Sequence, residues 1–267
     1  MALRILVIGA EGMAGHMISS YLKENSNDEI IPWGLKDFEV LDNGEWKEKI
    51  ERLNALKPVD YIVNCIGILK VANNNPVLGI KINSLFPHEL AQLCSSLRIK
   101  IIHLSTDCYN DLDVYGRSKR AGELDYPNHL TIRTSIIGPE LNKNGAGLFH
   151  WFMNSKDLVY GFTEHYWDGV TTLELSKRIL HIIQEQPTLG GIKELRTNNR
   201  ISKFSLLELI NSIFNKGIKV LPKPTPLIDK TNENPDISCN IDFKEQLKEL
   251  KFWMLNHPYL YGLYSFY

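Results

Sequence analysis

The 267-residue chain is predicted to fold as an α/β protein on a doubly wound parallel sheet. Three observations predict it. Near-continuous apolar runs alternate with helix-periodic segments through the first half, as in a parallel sheet covered on both faces. The first apolar run ends in a glycine-rich turn that opens a helix. Polar side chains suited to chemistry then gather just past later runs, at the carboxyl edge where such sheets hold ligands.

Each element follows from its local pattern. LRILVIG (3–9) is a strand and GMAGHMISSYLKEN (12–25) a helix. EIIPWG (29–34) is a second strand, and FEVL (38–41) reads as a short extended third. In GEWKEKIERLNALK (44–57), Trp46, Ile50, Leu53 and Leu56 share one helical face. YIVNCIG (61–67) is a strand, and PVLGIKINSLFPHELAQLCSSL (76–97) a long helix with Pro87 inside it. KIIHLS (100–105), VYGRSKRAGELD (114–125) and HLTIRTSIIG (129–138) complete a strand–helix–strand unit. Right-handed crossovers make this a Rossmann-like sheet. The regular alternation stops after residue 138. A dinucleotide-binding core is therefore expected over 1–140 and a smaller substrate-binding portion over 141–267, with later strands from 157–197 joining the core. TTLELSKRILHIIQEQ (171–186), ISKFSLLELINSIFNK (201–216, with Ser202 or a neighbour as cap) and FKEQLKELKFWM read as helices, and GGIKELRTN as a strand. The aromatic tail PYLYGLYSFY is expected to pack back on the domain.

Composition narrows the function classes. The chain is 43% hydrophobic and 23% charged, with net charge −1. That balance offers no basic surface for nucleic acid or anionic membrane. No apolar run approaches the roughly 18–20 residues of a membrane span. Cys65, Cys94, Cys108 and Cys239 show no CxxC spacing, which points to a reduced, cytoplasmic protein with neither a disulfide scaffold nor a metal site.

Three stretches can carry chemistry. The first is Gly9-Ala-Glu-Gly12-Met-Ala-Gly15, where Gly9, Gly12, Met13 and Gly15 would cradle a pyrophosphate at a helix N-terminus. The plain alternative is tight strand–helix packing. Lys36, after the second strand, leans toward NADPH, with NADH also admitted; it reads equally as a solvated loop charge. The second stretch is NCIG: Asn64 and Gly67 lie on the ligand edge, and Cys65 alone reads as a small packed residue. The third is STDCYNDLDVYGRSK (105–119). Thr106 ends a strand, and Tyr115 and Lys119 are four apart on one helix face. An ammonium beside a tyrosine lowers its pKa and makes it a usable acid, while a threonine hydroxyl can bond the same substrate carbonyl.

Together these stretches resemble an extended short-chain dehydrogenase/reductase. VNCIGIL, HLSTDC, VYGRSKRAGE, TIRTSIIGPE and GVTTLELSK resemble the dTDP-4-dehydrorhamnose reductase branch, over about residues 1–216. The resemblance implies reduction of the C4 ketone of a nucleotide-linked 4-keto-6-deoxy-hexose, dTDP- or UDP-linked, with a homodimer as an option. It implies that Tyr115 protonates the alkoxide and that Lys119 lowers the Tyr115 pKa and holds the nicotinamide ribose. Thr106 would bond the ketone and Asp107 the sugar. It also places Asp42 beside the adenine and Cys65, Ile66 and Gly67 along the cofactor. Trp151, Trp167 and Lys203 become candidates for substrate binding, although Trp151 and Phe149 at helical spacing are more often core than ligand contacts. Arg133 suits a structural ion pair better than a phosphate.

Two features depart from the branch. Ile136 stands where a tryptophan usually covers the sugar, which brings the chain nearer members acting on UDP-linked 2-acetamido-2,6-dideoxy sugars. The segment between Thr106 and Tyr115 is short, lacking a glycine-bearing acidic loop. Cys108 and His150 lie in regions that resemble those of the epimerising GDP-fucose synthases, so C3 epimerisation joins the readings. Two other readings share the fold: a non-catalytic dinucleotide-binding regulatory subunit, and an NAD-dependent sugar-nucleotide epimerase or dehydratase.

Overall fold

The computed structural model describes residues 2–42, 44–69 and 74–264. They form two compact units, Met1–Thr134 with Ser176–Glu194, and Ser135–Leu175 with Leu195–Tyr267.

The first unit is built on parallel strands: β1 (Arg4–Ile8), β2 (Glu29–Trp33), β3 (Tyr61–Asn64), β4 (Lys100–Thr106), β5 (Leu130–Thr134) and the amino end of β10 (Gly191–Thr197). The carboxyl end of β10 pairs in parallel with β14 (Ile237–Cys239). The hydrogen-bonded order is β14-β10-β5-β4-β3-β1-β2, seven strands. The order reverses at β1 and β3, so the carboxyl ends of β1, β3 and β4 come side by side. Ligands bind at that switch point in open α/β sheets.

Strand alternation sends Leu6, Ile8, Ile62 and Ile101 to one face, against Trp46 and Ile50 of helix Glu45–Leu56 and Phe86, Leu90 and Cys94 of helix Phe86–Leu97. Fully burying a side chain such as Ile50 or Leu90 contributes about 1.5–3 kcal/mol. FEVL is not a strand. It runs as a turn, and Phe38 dives into the core against Trp33, Trp46 and Phe86. The apolar content of that stretch was therefore correct as a burial signal and misleading as a strand signal.

The long helical stretch is also not uniform. Pro76–Gly79 and Phe86–Leu97 are α-helical, whereas Ile80–Leu85 is a π-helix. Pro87 has no N–H to give to the Asn83 carbonyl and its ring crowds that oxygen, so the turn widens. The Asn83 carbonyl, freed of a helical partner at Pro87, then receives Gly122: a Cβ there would stand 1.9 Å from it. The predicted strand HLTIRTSIIG divides at Ser135 into β5 and β6 (Ile136–Ile137).

The second unit holds β6 paired with β9 (Val170–Thr171), β7 (Val159–Phe162) paired with β12 (Val220–Lys223), and β8 (His165–Trp167) between β11 (Ile201–Ser202) and β13 (Ile228–Asp229). Helices Leu148–Asn154, Lys203–Ile213 and Phe243–Asn256 belong to it. Ser202 caps the second of these by accepting from Ser205 N. The tail does pack back within its unit. Tyr264 packs against Phe149 with its ring tilted, and its hydroxyl accepts from Glu140 N at 2.7 Å. The last three residues of PYLYGLYSFY lie outside the described residues.

Candidate active site

The Gly-rich turn is made of main chain. Gly9 adopts a φ of +76°, where its missing Cβ would lie 3.0–3.1 Å from Cys65 and Ile66 at the end of β3. A Cβ at Gly15 would stand 2.1 Å from the Gly9 carbonyl, so helix and turn touch backbone to backbone. Gly12 is different: its Cβ would meet only the Gly9 carbonyl, at 3.3 Å. Gly12 is the N-cap of helix Met13–Asn25, and neither a capping side chain nor an acidic first-turn residue covers that terminus. Its first N–H groups carry the helix's partial positive charge. These features would suit the pyrophosphate of a dinucleotide, and Gly9, Gly12, Met13 and Gly15 are the residues that would hold it.

At the end of β3, Asn64 is fully buried. Its side chain bonds His103 Nδ1 at 3.0 Å and accepts from Ile66 N at 3.0 Å, fixing the Cys65–Gly67 backbone. Burial pushes the Cys65 thiol up to about 12, against a smaller opposing effect of Lys119. It is an inert packing residue at neutral pH. Asp42 caps helix Glu45–Leu56, accepting from Gly44 N and Trp46 N at 3.2 Å each.

The end of β4 brings the catalytic candidates together. Thr106 Oγ1 accepts from Cys108 N at 3.1 Å, donates to Asp107 Oδ1 at 3.3 Å and is hydrogen-bonded to Tyr115. The backbone turns over the single 3-10 segment Asp107–Asn110 and enters helix Val114–Ala121, whose N-cap Asp113 accepts from Gly116 N at 2.8 Å. The residue after Tyr115 must be glycine, because a Cβ on Gly116 would stand 2.4 Å from the Cys108 carbonyl. Lys119 is buried and donates to the Leu104 carbonyl at 2.7 Å. Its Nζ would lie 3.6 Å from a Cβ on Gly67, so it stands at the mouth of the Cys65–Gly67 turn.

The electrostatics differ from the simple expectation. Burial pushes Tyr115 up to about 12, helped by Cys108, Asp107 and Asp113 and opposed by its bond to Thr106. Lys119 is pulled down to about 8 by burial, with Glu123 and then Cys65 working against that. Lys119 is turned to the Leu104 carbonyl, with the Glu123 charge favouring its ammonium, and the expected lowering of the Tyr115 pKa is not found. Tyr115 is thus a neutral phenol at pH 7 that still holds the proton it would give.

Residues outside the predicted set hold this site. Asn83, fully buried in the π-turn, accepts from Ile68 N at 2.9 Å and donates to the Ile68 carbonyl and to Ser118 Oγ. It ties the β3 turn to the Tyr–Lys helix. The one sequence signal for it was Pro87, four residues on. Around the 3-10 segment, Arg133 stacks on the Tyr109 ring at 3.8 Å and forks onto Glu123 at 2.8 and 2.7 Å. Tyr109 donates to Glu194 at 3.0 Å, and Ser105 to Glu123 at 2.8 Å. Arg133 is therefore structural, as its sequence context suggests.

The second unit has its own cavity of about 530 Å³, walled by Leu148, Trp151, Tyr160, Phe162 and Leu207 and bearing His165, Lys203 and Lys223. Trp151 and Lys203 meet there. Trp167 does not: it is buried against Phe243, at 5.4 Å between rings, with Lys203 over its face. That tryptophan is core. His150 is also buried, with Nδ1 at 2.7 Å from Tyr264 Oη and Nε2 at 3.2 Å from the Lys143 carbonyl.

Comparison with known families agrees with this geometry. Residues 3–216 match the model of the RmlD substrate binding domain. The chain belongs to the RmlD substrate-binding-domain family. Among the RmlD relatives, a probable low-salt glycan biosynthesis reductase of Haloferax volcanii is 26% identical over 161 residues, 49% of this chain and 52% of that protein. A dTDP-4-dehydrorhamnose reductase of Mycobacterium tuberculosis is 25% identical over 162 residues, 50% of each. The chain spans about half the length of these curated relatives. Among solved structures, the dTDP-4-dehydrorhamnose reductase of Clostridium acetobutylicum superposes with a TM-score of 0.75 at 20% identity, over 95% of this chain and all of that one. That of Bacillus anthracis, in complex with NADP, gives 0.74 at 18% over 94% and 99%. At such identities the likeness shows the RmlD chain's fold, a Rossmann-like α/β sheet.

Proposed function

We propose that the chain is a dihydronicotinamide-dependent reductase of the C4 ketone of a nucleotide-linked 4-keto-6-deoxy-hexose. One observation carries the reading: Thr106, Tyr115 and Lys119 converge at the carboxyl end of β4, in the unit whose β1 turn fits a pyrophosphate. The named activities of the RmlD relatives support it.

A bound dihydronicotinamide supplies the hydride for C4. The chain's own groups do the rest. The Thr106 hydroxyl and the Tyr115 phenol are bonded to each other and would both turn to the ketone oxygen. Tyr115 holds its proton at neutral pH and gives it as negative charge develops there. The buried Lys119 ammonium favours that anionic oxygen and the phenolate left behind, and would hold the nicotinamide ribose. Asp107 would meet the sugar beside Thr106. In the second unit, Trp151, Lys203 and Lys223 line a cavity whose aromatic walls and two ammonium groups suit a nucleoside diphosphate.

The His150 ring has a hydrogen-bond partner at each nitrogen, so we read the enzyme as a reductase without a C3-epimerising pair. The test is incubation with NADH or NADPH and the 4-keto products of dTDP-glucose and UDP-N-acetylglucosamine dehydration. Consumption of the cofactor and a 4-hydroxy product are expected, with no solvent deuterium at C3. No turnover by wild type, with no effect of Tyr115→Phe, refutes the reading.

A further inference from the structure

The carboxyl end of β2 carries charge opposite to that suggested by Lys36. Gly34 N donates to Asp37 Oδ2 at 3.1 Å, and Leu35 N donates to Glu11 Oε2 at 3.3 Å. Glu11 comes from the Gly-rich turn itself. Its side chain crosses to β2 so closely that a Cβ on Gly34 would stand 2.5 Å from the Glu11 carboxyl carbon. The turn then closes with Asp37 N and Phe38 N both donating to the Gly34 carbonyl. Glu11 and Lys36 are exposed, and Lys36 is the single basic residue in the turn 34–37.

In a Rossmann-like sheet this is where the adenosine ribose lies. An acid there accepts from a 2′-hydroxyl, and a base receives a 2′-phosphate. Here the two backbone N–H groups that could serve a phosphate are already given to carboxylates. Two negative charges in the turn outweigh the one ammonium of Lys36, and a doubly charged phosphate would add to the repulsion.

We infer that Glu11, seconded by Asp37, is the residue that sets cofactor choice, and that it selects the unphosphorylated dinucleotide, NADH, over NADPH. This rests on the proposed dinucleotide site and reverses the leaning taken from Lys36 in the sequence. Glu11 would exchange its bond to Leu35 N for one from the ribose hydroxyls, while Asp37 keeps the turn closed. No part of the inference involves the sugar substrate.

The test is equilibrium binding of NADH and NADPH to the full chain without sugar substrate, by nicotinamide fluorescence or calorimetry. Wild type is expected to bind NADH at least about tenfold tighter than NADPH, the scale of one charge contact. Glu11→Gln should narrow that ratio severalfold, and Glu11→Lys should invert it, with circular dichroism confirming that both variants fold. Equal or tighter NADPH binding by wild type overturns the inference without need of any variant, as does an unchanged ratio in folded Glu11→Gln. Binding of neither dinucleotide overturns it together with the dinucleotide site. An NADH preference without reduction of any 4-keto sugar nucleotide sustains this inference and sinks the proposed reaction.

Discussion

Two turns of the first unit face the same edge of the sheet and are built in opposite ways. The turn after β1, Gly9 to Gly15, is assembled from backbone: its specification lies in side chains that are missing. The turn after β4, Thr106 to Tyr115, is assembled from side chains: a hydroxyl cap, a cation stacked on a ring, and two buried carboxylates. A main-chain turn is written locally in glycines. A side-chain turn depends on partners far along the chain, Arg133 and Glu194 among them. The first admits no added atom at Gly9 or Gly15, and the second tolerates no lost partner.

Four measurements test that contrast, beginning with the largest effect. Tyr115→Phe removes the proton donor while leaving the ring. A drop in kcat of roughly 10²–10⁴ is expected from loss of general acid catalysis, with thermal stability unchanged to within a few degrees. Retained turnover would show that the β4 turn does not carry the chemistry.

Gly15→Ala is the matching strike on the β1 turn. The new methyl would lie 2.1 Å from the Gly9 carbonyl, so the backbone must part. A loss of about 4 kcal/mol, at the upper end for a point change, is expected in urea unfolding. A variant as stable as wild type would mean that the turn is not packed backbone to backbone.

The third test concerns Lys119 and pH. Its folded-state pKa, about 8, lies below its ordinary 10.5. The folded protein therefore gives up this proton before the unfolded chain does. The cost of burying the charge is full below pH 8 and is relieved as pH rises toward 10.5, so this group makes stability climb over that window. The climb is up to about 3 kcal/mol. Lys119→Met should remove it and be the more stable protein at pH 7, at the cost of activity. Parallel pH–stability curves for the two proteins would refute the buried ammonium.

The same contrast explains what the sequence made legible. Apart from FEVL, the alternation of strands and helices, the β1 turn and the Thr106–Tyr115–Lys119 spacing are marked by residues close together in the sequence, and they appear in the structure. FEVL failed because a buried apolar residue in a turn and one in a strand look alike in one dimension. Trp167 failed for a related reason: an aromatic at the right spacing fills a core as readily as it covers a sugar. The Arg133–Glu123–Glu194–Tyr109 network was invisible because its members come from β5, the loop after helix Val114–Ala121, β10 and the 3-10 turn, which only the sheet order assembles. Asp42, placed beside the adenine by the resemblance, also has a capping role, with its bonds to Gly44 N and Trp46 N, that its place two residues before Gly44 could signal.

Tyr109 offers the smallest and most discriminating test, because it asks how so short a β4 turn keeps its shape. Its ring lies under the Arg133 guanidinium and its hydroxyl is bound to Glu194, so one residue of the 3-10 segment is held at two points. Cys108, one residue before it, supplies the N–H that orients Thr106. Tyr109→Phe keeps the ring and loses one hydrogen bond to a carboxylate, which amounts to about 1.5–3 kcal/mol at most; a fall in kcat of a few fold is expected. Tyr109→Ala frees the segment, and displacing a reacting group by about 1 Å can cost up to about 10²-fold. An intermediate loss, near tenfold, is expected, with the affinity for dinucleotide unchanged because the β1 turn is untouched. A second readout needs no substrate: a freed segment exposes the Cys108 thiol, so alkylation at that cysteine, followed by mass spectrometry, should quicken in Tyr109→Ala and stay near wild type in Tyr109→Phe. If Tyr109→Ala leaves both kcat and the Cys108 labelling rate unchanged, the short turn holds itself, and the β4 turn would be as local in its making as the β1 turn.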